Sequence, residues 1–367
     1  MKTIIENVRF FQDGTMVFGD LHLENGYVER IDYKTPRGLS DLAIPGFIDI
    51  HTHGFHMISC EETDPKMLQE LSLEYVKRGT TSFCATLRCK SLNDYAKQLD
   101  IYKEAFKDFR GGARYLGAHL EGPYLSDNMI MSEHGEKTQE IDLAELEKFL
   151  VKYHEDIKIM TIAPELKYAM EAIHMLHMYG IIVSLGHTNA SYACVKEALE
   201  NGATHVTHLC NRMPEINHKQ STMMDAIFTS NCLCELILDG THIKDAMLEW
   251  LMPLLGSKRI LAVSGSGRYA GWKYPNGLTL HDHEVLKDKC VYKDGILYES
   301  TIDMLDAFRY LYDKFPLQEC IEMCGGSVAK EFKCYTQTIG LGKKVDLVVL
   351  SHDLKIRDVI MDGRSVL

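Results

Sequence analysis

The feature that most limits how this chain can fold is a repeated alternation of short apolar segments with longer amphipathic ones. Each short segment is rich in β-branched and other apolar residues, which favour strands. Strands that alternate with helices form βαβ units, in which neighbouring strands run parallel. Eight such strands suit a closed barrel. The eight segments are residues 47–50, 81–85, 115–120, 157–162, 181–185, 205–207, 233–237 and 260–263.

Helical spacing of apolar residues occupies most of the intervals between these segments. The clearest helical patterns cover residues 65–78, 92–106, 143–153, 167–179 and 192–201. A chain of 367 residues is long enough for a barrel of about 250 residues together with an accessory domain. The sequence therefore predicts an α/β protein built on a (β/α)8 TIM-type barrel.

The two ends of the chain show short strands instead of the strand–helix alternation. Asn25-Gly26 is a strong hairpin signal between residues 20–24 and 27–31, and Asp362-Gly363 is a second turn near the carboxyl end. Neither end could bury much apolar surface alone, so we expect them to pair. We predict a small β-sandwich domain from residues 1–45 and 335–367, with the (β/α)8 barrel domain at residues 46–334.

Two histidines stand two residues apart at the end of the first barrel strand, in His51-Thr52-His53. Side chains at i and i+2 of a strand point the same way, so both imidazoles face one point. The carboxyl ends of barrel strands converge on one face, where the site of such folds lies. Further ligand types follow later strands, and the full set is His51, His53, Glu121, His187 and His208.

These five residues predict a divalent metal site, with Zn²⁺ or Fe²⁺ as the ion that imidazole and carboxylate ligands suit. They suffice for one ion with an open position or for two ions bridged by a carboxylate. Each residue taken singly is more simply explained as a polar side chain on a loop. All five together favour the metal site.

Charge and cysteine content limit the partners and the compartment. A formal net charge of −12 argues against general nucleic-acid binding. No uninterrupted apolar run is long enough to span a membrane, and the first residues contain no signal-peptide apolar core. The 11 cysteines are odd in number and lack paired-thiolate spacing. We therefore expect a cytoplasmic protein with reduced thiols.

Four segments carry a family resemblance: residues 45–54 (PGFIDIHTHG), 119–123 (HLEGP), 186–188 (GHT) and 207–214 (THLCNRMP). They resemble the amidohydrolase superfamily and, more narrowly, the N-acetylglucosamine-6-phosphate deacetylases. The resemblance covers nearly the whole chain, including residues 342–350 (GKKVDLVVL) in the terminal β domain. The second and fourth segments are specific to the deacetylase branch, whereas His-x-His is common to the superfamily.

The resemblance implies a reaction and a set of metal ligands. Glu121, His187 and His208 would hold the principal metal, and His51 with His53 would complete a second site that some members lack. The implied reaction is hydrolysis of the acetamide of a 6-phosphorylated amino sugar. The metal would lower the pKa of a bound water toward roughly 7 and polarise the amide carbonyl.

The resemblance also implies residues that contact the substrate. His134 and His242 match histidines that face the ligand, and Leu297-Tyr298 matches a segment that borders it. Asn211 and Arg212 match a pair whose backbone amides meet the phosphate. Lys219 falls where an arginine often reaches the phosphate of a neighbouring subunit, which implies a homodimer. A lysine there would act as a point charge without the bidentate fork of arginine.

One position departs from the family pattern. Relatives carry an aspartate after the last barrel strand that takes the proton from the attacking water and passes it to the leaving amine. In residues 261–271 (LAVSGSGRYAG), Gly265 occupies that place. Three explanations are open: a natural member that has lost or relocated its base, to Asp239 or Asp282 for example; an engineered variant that traps substrate; or a binding protein without turnover.

The leading hypothesis is a metal-dependent sugar-phosphate deacetylase whose proton transfer is weakened. The alternatives are a catalytically silent binder of a sugar phosphate and an amidohydrolase acting on another N-acyl substrate. The sequence does not distinguish glucosamine from galactosamine or mannosamine derivatives.

Overall fold

The computed structural model describes residues 2–36, 38–127, 139–280, 283–334 and 338–367. In chain order the strands are β1 (Lys2–Gln12), β2 (Thr15–Glu24), β3 (Tyr27–Tyr33), β4 (Asp41–Pro45), β5 (Phe47–Thr52), β6 (Gly54–Phe55), β7 (Ile58–Ser59), β8 (Thr80–Leu87), β9 (Arg114–Glu121), β10 (Ile157–Ile162), β11 (Ile182–Leu185), β12 (Ala203–Val206), β13 (Leu233–Ile237), β14 (Ile260–Val263), β15 (Leu278–Thr279), β16 (Glu284–Lys287), β17 (Cys290–Lys293), β18 (Ile296–Ser300), β19 (Leu347–Leu350), β20 (Ile356–Met361) and β21 (Arg364–Ser365).

The helices are α1 (Pro65–Lys77), α2 (Leu92–Phe106), α3 (Leu143–Tyr153), α4 (Ala169–Met178), α5 (Tyr192–Glu200), α6 (Met223–Phe228), α7 (Asp245–Leu255), α8 (Met304–Tyr312), α9 (Leu317–Ile321) and α10 (Ser327–Glu331). Several begin at a side chain that satisfies a free backbone N–H. Asp64 caps α1, Ser91 caps α2 and Asp142 caps α3 in this way. These caps end the preceding loops at defined residues.

The barrel is one eight-stranded parallel sheet in the order β5, β8, β9, β10, β11, β12, β13, β14. Helices α1 to α8 follow these strands one by one, which confirms the predicted (β/α)8 architecture. The first and last strands are joined where the Gly265 N–H donates to the His51 carbonyl at 2.9 Å. The strand ends that carry the predicted ligands therefore lie around one mouth.

The two termini form a separate seven-stranded sheet in the order β21, β20, β19, β4, β1, β2, β3. Strand β4 connects the two halves, because it pairs in parallel with β1 and antiparallel with β19. Side chains such as Phe10, Leu21, Val28 and Leu347 form the apolar core of this sheet. The predicted β domain from both ends is thus confirmed, with its strands joined in one sheet. The exact division at residues 45 and 335 stays a prediction.

A four-stranded antiparallel sheet, β15 to β18, is inserted between β14 and α8. The end of β18 runs beside the segment after β14, where the Gly267 N–H donates to the Ser300 carbonyl and the Ser300 N–H donates to the Gly265 carbonyl, both at 3.0 Å. The insertion is therefore anchored directly at the mouth of the barrel. Among the described helices, none combines the length and the apolar character needed to cross a bilayer.

His205 is a fully buried titratable group on β12, three residues before the His208 turn. Its Nδ1 contacts the Thr204 hydroxyl at 2.9 Å, while its Nε2 has no hydrogen-bond partner. Burial, with His119 nearby, lowers the pKa of His205 to about 3. When the pH is below the ordinary histidine pKa of about 6.5, His205 binds a proton in the unfolded chain but not in the folded protein. Stability is therefore lost as the pH falls through this range.

We expect this single group to lower the free energy of unfolding of the metal-free protein by about 1.4 kcal/mol per pH unit between about pH 6 and pH 4. His205→Gln keeps a polar side chain but cannot titrate, so the variant should have a shallower pH dependence. Urea unfolding of both proteins at several pH values measures the difference. If the free energy of unfolding depended on pH equally in both proteins, His205 would have to accept its proton in the folded state.

Candidate metal centre

A cavity of about 310 Å³ opens at the carboxyl ends of the barrel strands. Its wall includes all five predicted metal ligands, which come from the ends of β5, β9, β11 and β12. His187 and His208 both lie in left-handed backbone, with φ of +47° and +31°. Such backbone is uncommon for residues other than glycine, and it is concentrated at functional sites. The turns after β11 and β12 thus bring both imidazoles to the cavity.

Glu121, His187 and His208 form the tightest group. Glu121 Oε1 lies 3.0 Å from His187 Nε2 and 3.1 Å from His208 Nε2, and the two nitrogens are 2.9 Å apart. Burial alone would raise the pKa of Glu121, but the neighbouring imidazoles hold it well below its usual range. A carboxylate oxygen and two imidazole nitrogens this close all offer lone pairs to one point. A cation among them satisfies all three, and the set suits zinc or ferrous iron.

His51 and His53 form a second group with the other side of Glu121. Their Nε2 atoms are 3.3 Å apart, and they lie 3.7 Å from Glu121 Oε1 and 3.5 Å from Glu121 Oε2, respectively. Both are buried, and burial lowers the pKa of His51 to about 3. The two histidines are therefore neutral, which is the form that binds metals. Glu121 stands between the two groups.

Glu235, on β13, is a functional candidate that the sequence analysis missed. Its Oε2 accepts a 2.7 Å hydrogen bond from His51 Nδ1 and lies 3.3 Å from the His208 backbone nitrogen. A carboxylate at Nδ1 fixes the tautomer and leaves Nε2 free to bind a metal. Burial raises the pKa of Glu235 to about 7. The available signal was a lone acidic residue inside an otherwise apolar strand.

Arg88, directly after β8, is the second residue that was missed, and it lines the same cavity. Its Nη2 donates to Glu299 Oε1 at 2.5 Å, and its guanidinium carbon lies 4.9 Å from the centre of the Tyr298 ring. Burial alone would lower the pKa of Arg88, but Glu299 and neighbouring groups hold it well above its ordinary value. A permanent positive charge therefore stands beside the ligands. A lone arginine after a strand gave no signal for this, because Glu299 is far away in the sequence.

Gly265 lies in the cavity wall in left-handed backbone, with φ of +55°. A Cβ at this position would come within 2.6 Å of Ile237 Cδ1, and its nearest neighbours are all atoms of the Ile237 side chain. Asp239 does not line the cavity. It binds His242 Nδ1 at 2.5 Å and the backbone N–H groups of Thr241 and His242. Asp282 lies outside the described residues.

Most of the predicted substrate contacts lie around the same cavity, whose wall includes Asn211, Arg212, His242, Leu297 and Tyr298. The Asn211 backbone N–H already donates to the His208 carbonyl at 2.9 Å, so it is not free for a ligand. Arg212 Nη2 donates to the Leu297 carbonyl at 3.1 Å, which joins this side of the mouth to β18.

Two predicted contacts stand apart from this group. Lys219 is exposed and does not line the cavity. His134 lies outside the described residues.

Comparison with known proteins gives one consistent result. The sequence matches the model of the amidohydrolase family over residues 42–366. An N-acetylglucosamine-6-phosphate deacetylase from Lysinibacillus sphaericus is 26% identical, covering 97% of this chain and 92% of that protein. One from Vibrio furnissii is 29% identical, covering 94% and 89%.

Two further relatives extend this result. An N-acetylgalactosamine-6-phosphate deacetylase from Escherichia coli O157:H7 is 26% identical, covering 92% of this chain and 91% of that protein. The crystal structure of N-acetylglucosamine-6-phosphate deacetylase from Pasteurella multocida superposes with a TM-score of 0.88 at 24% identity, covering 100% of this chain and 99% of that one. At 24% identity, this superposition shows that the two chains share a fold.

Proposed function

This chain belongs to the amidohydrolase family, and from that premise we propose that it deacetylates N-acetylglucosamine 6-phosphate in a metal-dependent reaction. Hydrolysis of the acetamide would release glucosamine 6-phosphate and acetate, a step of amino-sugar catabolism. The observation that carries the proposal is the convergence of Glu121, His187 and His208 at the barrel mouth. The names of the relatives that align over nearly the full chain support the substrate class.

The ligand residues have distinct roles in this proposal. Glu121, His187 and His208 would hold the principal divalent ion, Zn²⁺ or Fe²⁺, and His51 with His53 would complete a second position. When bound, such an ion supplies Lewis acidity toward a carbonyl oxygen and toward a coordinated water. Glu235 orients His51 through Nδ1, and the buried walls keep both imidazoles neutral. These residues thus bind and orient, but none of them is placed to shuttle a proton.

The substrate phosphate needs positive charge, because this chain is acidic overall. Arg212 lines the cavity next to Asn211, and the other cationic side chains among the described residues of the wall are Arg88 and Lys90. Its guanidinium donates a hydrogen bond to the Leu297 carbonyl, and a guanidinium is the group that matches phosphate geometry. We propose that Arg212 binds the phosphate, that Leu297 and Tyr298 border the sugar, and that Lys219 serves the partner in a homodimer. His134 would face the ligand from outside the described residues.

Arg212→Ala is expected to raise KM for the phosphorylated substrate by about 10- to 100-fold, the cost of one hydrogen bond to a charged group. The effect on kcat should be small, because Arg212 is not among the metal ligands. The same substitution should leave weak binding of unphosphorylated N-acetylglucosamine unchanged, which provides the control. Steady-state kinetics measure both values. An equal effect on both sugars would place the phosphate elsewhere.

We expect slow deacetylation because Gly265 has no side chain that could accept a proton. A missing general base typically costs about 10²- to 10⁴-fold in rate. Among the described residues of the cavity wall, Glu121 is the only carboxylate, and its lowered pKa makes it a poor proton acceptor. We therefore propose slow turnover. The same observation favours a second candidate function, a sugar-phosphate binder without turnover.

Acetate release separates these possibilities. Protein reconstituted with Zn²⁺ or Fe²⁺ would be offered N-acetylglucosamine 6-phosphate, its galactosamine epimer and an N-acetyl amino acid. Slow release from the first substrate supports the proposal. Calorimetric binding without release identifies the silent binder, and release from the amino acid alone identifies another amidohydrolase. Neither binding nor release with any compound would reject all three. The expected cytoplasmic location stays a prediction.

A further inference from the structure

A second group of ligand-type side chains lies where the barrel meets the inserted sheet. Asp239 and His242 belong to the loop between β13 and α7, and Cys290 is the first residue of β17. Asp239 and Cys290 are buried, and the His242 side chain is only 5% exposed. Of these three residues, only His242 also lines the cavity at the barrel mouth. The deacetylation proposed above gives no role to Asp239 or Cys290.

Three donor atoms of these residues converge on one point. Asp239 Oδ2 lies 2.5 Å from His242 Nδ1 and 3.1 Å from Cys290 Sγ, and the nitrogen and the sulfur are 3.8 Å apart. A triangle with these sides contains a point about 2 Å from all three atoms, and zinc makes bonds of about 2.0–2.3 Å to oxygen, nitrogen and sulfur. An ion therefore fits among the three atoms once the protons between them have left.

The Asp239 carboxylate is oriented by its own loop. Its Oδ1 accepts hydrogen bonds from the backbone N–H groups of Thr241 and His242, both at 2.7 Å, so that Oδ2 faces the imidazole and the thiol. Burial alone would raise the pKa of Asp239, but hydrogen bonds from His242 and Cys290 hold it below its ordinary value. The carboxylate is therefore ionised and already in place for a cation.

The arrangement is that of a ligand set and differs from a nucleophilic triad. In a Cys–His–Asp triad the histidine stands between the thiol and the carboxylate and contacts each through a different ring nitrogen. Here the thiol and the carboxylate both face Nδ1 of His242. Cys290 is also fully buried and is not among the described residues of the cavity wall. Its sulfur is therefore placed to bind an ion and not to attack a substrate in the cavity.

We propose that Asp239, His242 and Cys290 bind a zinc ion that joins the inserted sheet to the barrel. This site is separate from the metal centre at Glu121. Carboxylate, imidazole and thiolate are all ligand types that zinc accepts, and three of them leave a fourth position for water. The inference goes beyond the deacetylase reaction, and it depends neither on acetate release nor on an ion at Glu121.

Binding of the ion requires the loss of protons, because zinc binds the thiolate and the neutral imidazole. Burial and the nearby Asp239 carboxylate raise the pKa of the Cys290 thiol, so the thiol keeps its proton until an ion displaces it. The thiol proton is then released to solvent. The imidazole of His242 carries its proton on Nε2 instead of Nδ1.

Cobalt distinguishes this site from the centre at Glu121, because a bond between Co²⁺ and a thiolate gives an intense charge-transfer absorption in the near ultraviolet. The ligands at Glu121 offer only oxygen and nitrogen. Metal-free full-length protein is titrated with Co²⁺ alone, and the wild type is expected to develop the thiolate absorption. Cys290→Ser should abolish it and bind one ion fewer per chain. A wild type without this absorption, or its persistence in Cys290→Ser, would overturn the proposal.

Two control variants locate the thiolate that binds cobalt. Glu121→Gln alters the other metal centre and should keep the absorption. Cys210→Ser removes a thiol from the wall of the cavity and should keep it as well. If Cys210→Ser abolished the absorption, the thiolate bond would belong to the cavity and the proposal would be wrong.

His242→Gln provides a second test that remains available if circular dichroism shows that Cys290→Ser does not fold. This variant keeps the thiol but lacks the imidazole nitrogen. Its thiolate absorption should require at least about 10-fold more Co²⁺, since even the loss of a residue that only hydrogen-bonds a metal ligand typically costs that much. An unchanged titration midpoint would show that His242 is not a ligand and would contradict the proposal.

Discussion

Gly265→Asp combined with Ile237→Ala is expected to raise kcat for deacetylation by about 10²- to 10⁴-fold, the range for a positioned general base. The second substitution is needed because the atoms closest to a new Cβ all belong to the Ile237 side chain. Aspartate is also one of the residues that tolerate the left-handed backbone of this position. Acetate release under saturating substrate measures the gain.

Two control variants separate the effect of a new proton acceptor from the effects of altered packing and shape. Ile237→Ala alone removes packing at a cost of about 2–5 kcal/mol of stability and should not raise kcat. Gly265→Asn with Ile237→Ala has nearly the shape of the aspartate variant without a proton acceptor, so it should remain slow. If the aspartate variant gains no more than the asparagine variant, the pocket has diverged from deacetylation at other residues as well.

Glu121→Gln is expected to have the largest effect on metal affinity. Loss of a residue that only hydrogen-bonds a metal ligand typically lowers the affinity by about 10- to 100-fold, and loss of a ligand itself should lower it further. The substitution removes the charge of the oxygen that lies 3.0 Å from His187 Nε2 and 3.1 Å from His208 Nε2, and it leaves an amide of nearly the same size. Acetate release should fall with the bound metal. Zinc binding by competition with a chelator measures the affinity.

Glu235→Gln is the matched control for this experiment. It replaces another buried carboxyl group, one that accepts from the His51 ring and lies near the His208 backbone nitrogen but makes no hydrogen bond to the ring of His187 or His208. We expect Glu235→Gln to lower metal affinity by about 10- to 100-fold, the range for a residue that hydrogen-bonds a metal ligand. Equal losses for the two variants would mean that Glu121 is not the central ligand.

The barrel could be predicted because most of its strands are rich in apolar residues and its helices have regular apolar spacing, several with capped starts. The predicted segments 157–162 and 260–263 coincide with β10 and β14. The inserted sheet β15 to β18 was not predicted as strands, because its strands are two to five residues long and mix polar with apolar residues. Its position depends on hydrogen bonds to Gly265 and Gly267, which no local pattern reveals.

The candidate site also contains residues that the sequence predicts and residues that only the folded structure reveals. Five residues could be found from the sequence because each stands at the carboxyl end of a barrel strand or just after it, and these ends meet by architecture: His51, His53, Glu121, His187 and His208. Glu235 lies within a strand and Arg88 depends on a partner from the inserted sheet, so their roles appear only after folding. The crowding of Gly265 by Ile237 was equally invisible, although it decides how a carboxylate can be restored there.

Strand β4 is paired on one side with the beginning of the chain and on the other with β19, near its end. During synthesis the ribosome releases β19 about 300 residues after β4, so the nascent protein carries β4 with one open edge until translation is almost complete. Leu42, Ala43 and Ile44 would then be available to strands of other molecules. A premature stop codon before β19 should thus favour inclusion bodies even when every metal ligand has already been translated.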